Sequence, residues 1–131
     1  MSKEEKEILL KSLCETAQYG VKGLALGKKI DTIKTICLSE YPFIVTNGGL
    51  TCHVGEQFKP YLRPMSSMTQ EERDNFQQCL NIIENENYGD GWSPAAWGQM
   101  AEFIHYCNEH HLDYNGLIAM GLALEAPEGM Y

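Results

Sequence analysis

The chain has 131 residues, 44% hydrophobic and 21% charged, which is the size and mixture of one globular domain. Eighteen acidic against ten basic residues give a net charge of −8, which favours solubility and works against non-specific binding to nucleic acid. No apolar run approaches the roughly 20 residues that cross a bilayer, and five cysteines without a CxxC pair argue for free thiols over a disulfide framework. The opening Met1-Ser-Lys-Glu-Glu-Lys-Glu7 is polar and acidic, unlike a secretory signal. A single domain spanning 1–131, located in the cytoplasm, is the expectation.

Residues 3 to about 18 read as a helix. Ser2 can cap it, and Glu4, Glu5 and Glu7 stand where the helix dipole favours acids. Leu9, Leu10, Leu13, Cys14 and Ala17 recur at helical spacing and predict a buried stripe. Gly20 suits a left-handed stop. Strand-like runs follow at Val21–Leu26, Ile30–Leu38, Phe43–Thr46 and Leu50–Val54. The run from Ile30 has isoleucines spaced by three, which also suits a helix; its β-branching decides for a strand. Asn47-Gly48-Gly49 between β-favouring runs is a hairpin signal. A small antiparallel meander sheet is expected, short enough to curl toward a barrel.

The next stretch is Lys59-Pro-Tyr-Leu-Arg-Pro-Met-Ser-Ser-Met-Thr69. Two prolines predict a stiff, extended connector outside any helix or central strand. Thr69-Gln-Glu-Glu72 is a capping box, so a helix begins there and runs to about 85. Phe76, Cys79, Leu80, Ile82 and Ile83 mark its buried face, and Met65 and Met68 pack under the connector. Asn85–Gly91 is a turn-rich loop. Ser93 and Pro94 open a second long helix to about 110, burying Ala96, Trp97, Met100, Phe103, Ile104 and Cys107. Asp113 can cap a short last helix, Tyr114–Met120, ended by Gly121. The fold expected is α+β: an N-terminal helix, the sheet, two longer helices and a short C-terminal one.

Few residue patterns carry chemistry. Cys52 and His53 are adjacent on a strand and point to opposite faces, so they cannot pair. Cys107, His110 and His111 could meet at a helix end and serve an enzyme or a metal, but the helical stripe places Cys107 in the core and leaves the histidines on the surface. The sequence has no HExxH motif and no paired CxxC, and no cofactor is expected. Lys22, Lys28, Lys29 and Lys34 form a weak basic concentration with few aromatics, the alternative nucleic-acid face. Arg63, held between two prolines beside Tyr61, could grip a carboxylate within the fold or on a partner. Trp92 either staples the following helix or anchors an interface.

The stretches Leu13-Cys14, Tyr19-Gly-Val-Lys22, Lys59–Thr69, His111-Leu-Asp-Tyr114 with Gly116-Leu-Ile118, and Gly121-Leu-Ala-Leu-Glu-Ala-Pro-Glu-Gly-Met-Tyr131 carry a likeness from end to end. On them the chain resembles a family of small uncharacterised proteins encoded in gut bacteria, their prophages and their phages. That resemblance implies a cytoplasmic, mobile-element-associated protein and supplies no catalytic residues. The functional expectation is a non-enzymatic accessory protein of a phage or mobile element. Its partner is a host or phage protein, bound through Tyr61, Arg63 and Trp92, with no membrane and with nucleic acid disfavoured.

Overall fold

The computed structural model describes residues 1–84 and 94–131, with side chains described through Asn81 and from Gly98 onward. The predicted loop Asn85–Gly91, Trp92 and the Ser93 cap lie outside the described residues. So do the core assignments of Ile82, Ile83, Ala96 and Trp97. The architecture is α+β. Helix α1 (Lys3–Thr16) is followed by β1 (Lys22–Ala25), β2 (Lys29–Cys37), β3 (Phe43–Thr46), β4 (Thr51–His53) and β5 (Phe58–Leu62). Helices α2 (Gln70–Asn75), α3 (Gln77–Glu84) and α4 (Pro94–Glu109) come next, and strand β6 (Leu124–Glu125) closes the order. Among the described residues no helix is long and apolar enough to cross a membrane.

The predicted cap at Ser2 and the predicted capping box at Thr69 both form, and the first is a capping box too. The Ser2 hydroxyl accepts from Glu5 N–H at 3.1 Å while the Glu5 carboxylate takes Ser2 N–H at 3.2 Å. Thr69 and Glu72 repeat the pattern at α2. The buried face of α1 is Leu9, Ser12, Leu13 and Thr16. Cys14, expected in that stripe, is exposed. Thr16 takes an inward place at little cost because its hydroxyl donates to Ser12 O at 2.9 Å. Gly20 stops the segment at φ +72.

The six strands run in the order β4-β3-β2-β1-β5-β6, antiparallel except for the parallel β5–β6 pair. Residues 30–37 are strand, as their β-branching predicts. The long β2 pairs β1 through its first half and β3 through its second, with a register shift between Ile33 and Thr35. The sheet is open, not a barrel. Its two edges are strands of three and two residues, too short to reach round and pair.

Three other expectations are corrected. The first part of the proline connector is a strand, with Pro60 in β5 between two neighbours. The bond from Leu26 N–H to Gln57 O fixes the parity of the β1–β5 ladder. Pro60 therefore faces Gly23 in a non-hydrogen-bonded pair, with its nitrogen turned away from β1. On the other side β6 begins only at Tyr61, so the proline forfeits no ladder bond. The helix expected over 70–85 is broken at Phe76, whose φ −124 and ψ 24 end α2. That break turns the ring onto Phe103 and Tyr106, with centroids at 5.1 and 4.9 Å. The short helix at Tyr114–Met120 is instead a run of turns. The Asp113 carboxylate accepts from Leu117 N–H at 2.8 Å and Ile118 N–H at 2.9 Å. These amides lie too far along to be an N-cap's, and Gly116 at φ +73 breaks the helical path.

Among the described residues two buried clusters result. The sheet core joins Leu9, Leu13, Val21, Ala25, Ile33, Ile44, Cys52, Val54, Phe58, Leu62, Leu117, Leu122 and Ala123. The helical core joins Met68, Cys79, Leu80, Met100, Phe103, Cys107 and Leu112, with Met65 packed against it. The segment from Leu62 to Met68 runs from the first cluster to the second.

Candidate functional site

Arg63 stands at that crossing. Its N–H donates to His111 O at 2.7 Å and its carbonyl accepts from Asp113 N–H at 2.9 Å, an isolated bridge to the stretch after α4. Its guanidinium donates from Nε to Ser67 Oγ at 3.3 Å, and from Nη2 to Ser67 O at 3.2 Å and Glu72 Oε1 at 3.0 Å. The same Glu72 oxygen takes Thr69 N–H at 2.9 Å, and its other oxygen takes the Tyr106 hydroxyl at 2.5 Å. Burial pushes the Glu72 carboxyl up, but the Thr69 amide, the Tyr106 hydroxyl and Arg63 outweigh it and hold it at about 2. Burial first, then the Glu72 carboxylate, pushes the Tyr106 hydroxyl up to about 12. Arg63 thus grips a carboxylate of its own chain. Tyr61 is half-buried and offers its carbonyl to a neighbour.

That neighbour is Tyr131. The register makes Lys22 and Tyr61 the next hydrogen-bonded pair of the β1–β5 ladder, yet the Tyr131 hydroxyl sits between them. It accepts from Lys22 N–H at 2.9 Å and lies 2.7 Å from Tyr61 O, to which it donates. Its ring stacks on His111 with centroids 3.7 Å apart and planes 14° apart. His111 is not the surface histidine expected from the sequence. It is 7% exposed and holds φ +60. Leu112 N–H reaches Cys107 O and His111 N–H reaches Asn108 O, a Schellman ending with histidine where glycine is usual. Among the described residues the buried Nδ1 has no partner. Burial, then His110, Arg63 and Lys22, pushes the imidazole down to about 4. Tyr131→Phe is expected to cost about 1 kcal/mol, the worth of a bridging hydrogen bond. Urea denaturation with an unchanged slope checks it.

The residues of the two alternative sites do not converge. Cys107 is fully buried, and burial first pushes its thiol up to about 12. His110 stacks on Tyr106 at 4.1 Å while His111 stacks on Tyr131. Among the described residues no three His, Cys, Asp or Glu side chains are placed to hold a metal. Of the basic residues, Lys22 lies at one end of the β1–β2 ladder, where its Nζ donates to Met130 O at 3.3 Å. Lys28 and Lys29 lie at the other end, in and after the turn.

Among the described residues the most open apolar side chains are elsewhere. Leu38 and Tyr41, in the β2–β3 connection, are 72% and 73% exposed. Tyr41 borders a groove of about 550 Å³ whose walls include Leu10 of α1, Pro42 and Val54, with Lys3, Lys6, Glu7 and Glu40 also lining it. The sequence offered one signal here: an aromatic residue stranded in the polar break Ser39-Glu40-Tyr41-Pro42. Comparisons with protein-family models, curated proteins and solved structures give no match.

Proposed function

We propose that the protein is a non-enzymatic protein-interaction module, an accessory of a phage or mobile element, whose partner is a host or phage protein. The observation that carries this reading is the pair Leu38 and Tyr41. Two large apolar side chains nearly three-quarters exposed, one of which, Tyr41, lines a groove with Leu10 and Val54, have the make-up of an interface anchor and its pocket. The resemblance of the stretches 59–69 and 121–131 to proteins of gut bacteria and their phages supports the mobile-element setting. Tyr61 and Arg63 move to a supporting role, since Arg63 is engaged with Glu72. The anchor belongs to the β2–β3 connection.

The test compares affinity capture by the wild-type chain and by a Leu38→Ser/Tyr41→Ser variant from a gut-bacterial lysate. Both substitutions remove exposed groups, so stability should stay within about 0.5 kcal/mol. A protein held by the wild type and lost by the variant is the expected result. Identical capture profiles would overturn this reading.

A further inference from the structure

Strand β4 is an edge of the sheet, and among the described residues it has no neighbour on its outer side. Its register shows which backbone groups face outward. Thr46 N–H bonds Leu50 O and Val54 N–H bonds Pro42 O, so Ile44 and Cys52 form the hydrogen-bonded pair between them. Thr51 and His53 sit in the non-hydrogen-bonded pairs, and their N–H and C=O groups point away from β3. The His53 N–H is taken by Gln57 Oε1 at 2.8 Å. Both Thr51 groups and the His53 carbonyl are left facing outward. Natural edges are often blunted against self-pairing, and Gln57 covers this one in part. The opposite edge differs: it is a two-residue strand closely followed by Pro127.

The open edge runs straight into the groove already described, because His53 and Val54 are among the groove's lining residues. Backbone groups awaiting a strand and an apolar hollow at the end of that strand are the two parts of peptide recognition by strand addition. Main-chain bonds hold the peptide and a pocket takes alternate side chains. We propose that β4 accepts an extended segment of the partner protein as a further antiparallel strand, paired opposite Thr51. Alternate apolar side chains of the segment enter the groove beside Leu10, Tyr41 and Val54. This rests on the interaction reading above and specifies its mode. The ligand is an extended segment with apolar residues at every second position, as opposed to a helix, which would present them three and four apart.

The experiment selects a displayed library of random octapeptides on the full chain. Enriched peptides are expected to alternate apolar and polar residues. Binding should slow amide exchange at Thr51. N-methylation of the peptide at alternate positions should weaken binding by about tenfold or more, the loss of one or two backbone bonds. N-methylation at the intervening positions should leave it unchanged. Gln57→Ala, which uncovers the His53 N–H, should tighten binding several-fold. Peptides with helical spacing, an unprotected Thr51 amide, or a library that yields no enriched sequence would each overturn strand addition. If such peptides nevertheless bind the Leu38→Ser/Tyr41→Ser variant more weakly than the wild type, the interaction module stands and only its mode fails. If they bind both equally, both ideas fail.

Discussion

Gly23→Ala is expected to destabilise the protein by about 3 kcal/mol, the upper end of overpacking costs, and to lower its Tm by about 10 °C. Gly23 lies in β1, opposite Pro60 of β5. A Cβ built there would overlap Phe58 Cζ, and would stand 2.5 Å from Phe58 Cε1 and 2.8 Å from Lys59 O. Neither neighbour can give way cheaply. Phe58 is fully buried in the sheet core, and Lys59 O belongs to the backbone of the paired strand. The close approach of the ring to β1, more than any unusual backbone angle, is what requires glycine here. Thermal and urea unfolding check the size. A double-mutant cycle with Phe58→Leu checks the cause, because shortening the ring should return part of the loss. A Gly23→Ala variant within about 0.5 kcal/mol of wild type would show that β1 and β5 can move apart freely.

The second large effect concerns acid. Glu72→Ala removes the return bond of the α2 capping box, the partner of Arg63 and the acceptor of Tyr106 in one step. Losing the bond from Thr69 N–H alone costs about 1 kcal/mol. Stranding a partly buried guanidinium brings the total to about 3 kcal/mol. The same group gives the fold a pH dependence. Its folded pKa of about 2 lies below the ordinary 4.5. Its contribution is therefore complete above about pH 4.5 and disappears as pH falls toward 2. His111 acts on the adjoining range. Its folded pKa of about 4 lies below the ordinary 6.5, so the fold prefers the neutral ring, and stability drops as pH falls from about 6.5 to 4. The measurement is unfolding free energy from pH 7.5 to 2.5. Two successive declines are expected. Glu72→Gln should flatten the lower one, and His111→Asn, which tolerates a positive φ, the upper one. A profile unchanged by either substitution would assign the acid limb to other groups.

What could be read in advance was local. The cap at Ser2 and the capping box at Thr69 need only a few consecutive residues each, and both form. The hairpin around Asn47-Gly48-Gly49 and the strand from Ile30 follow from turn chemistry and β-branching. The misreadings come where distant residues decide. Pro60 looks like a strand breaker until Gly23 is placed opposite it and β6 is seen to start one residue later. Leu124 and Glu125 are too short a run to announce a strand, and they become one only against Tyr61 and Leu62. Asp113 reads as a helix cap, yet Gly116 sends the following amides onto its carboxylate as a turn. His111 follows another histidine at a helix end, where exposure is the natural guess, and Tyr131 buries it. For the candidate site, Arg63 was legible as a rigid guanidinium but not its carboxylate, because Glu72 was already accounted for as a cap. Tyr41 was visible only as part of a break.

The hydroxyl of Tyr131 between Lys22 and Tyr61 also has a consequence in time. The two partners of that hydroxyl lie 109 and 70 residues back along the chain. Such distant closures carry the largest loop entropy and come late in folding. Strands β1 and β5 can zip through Gly23–Ala25 and Phe58–Pro60 early, but the rung at Lys22 waits for the tail. The tail is expected to clasp strands already paired, and its docking, with the His111 stack it creates, to be among the last steps of folding.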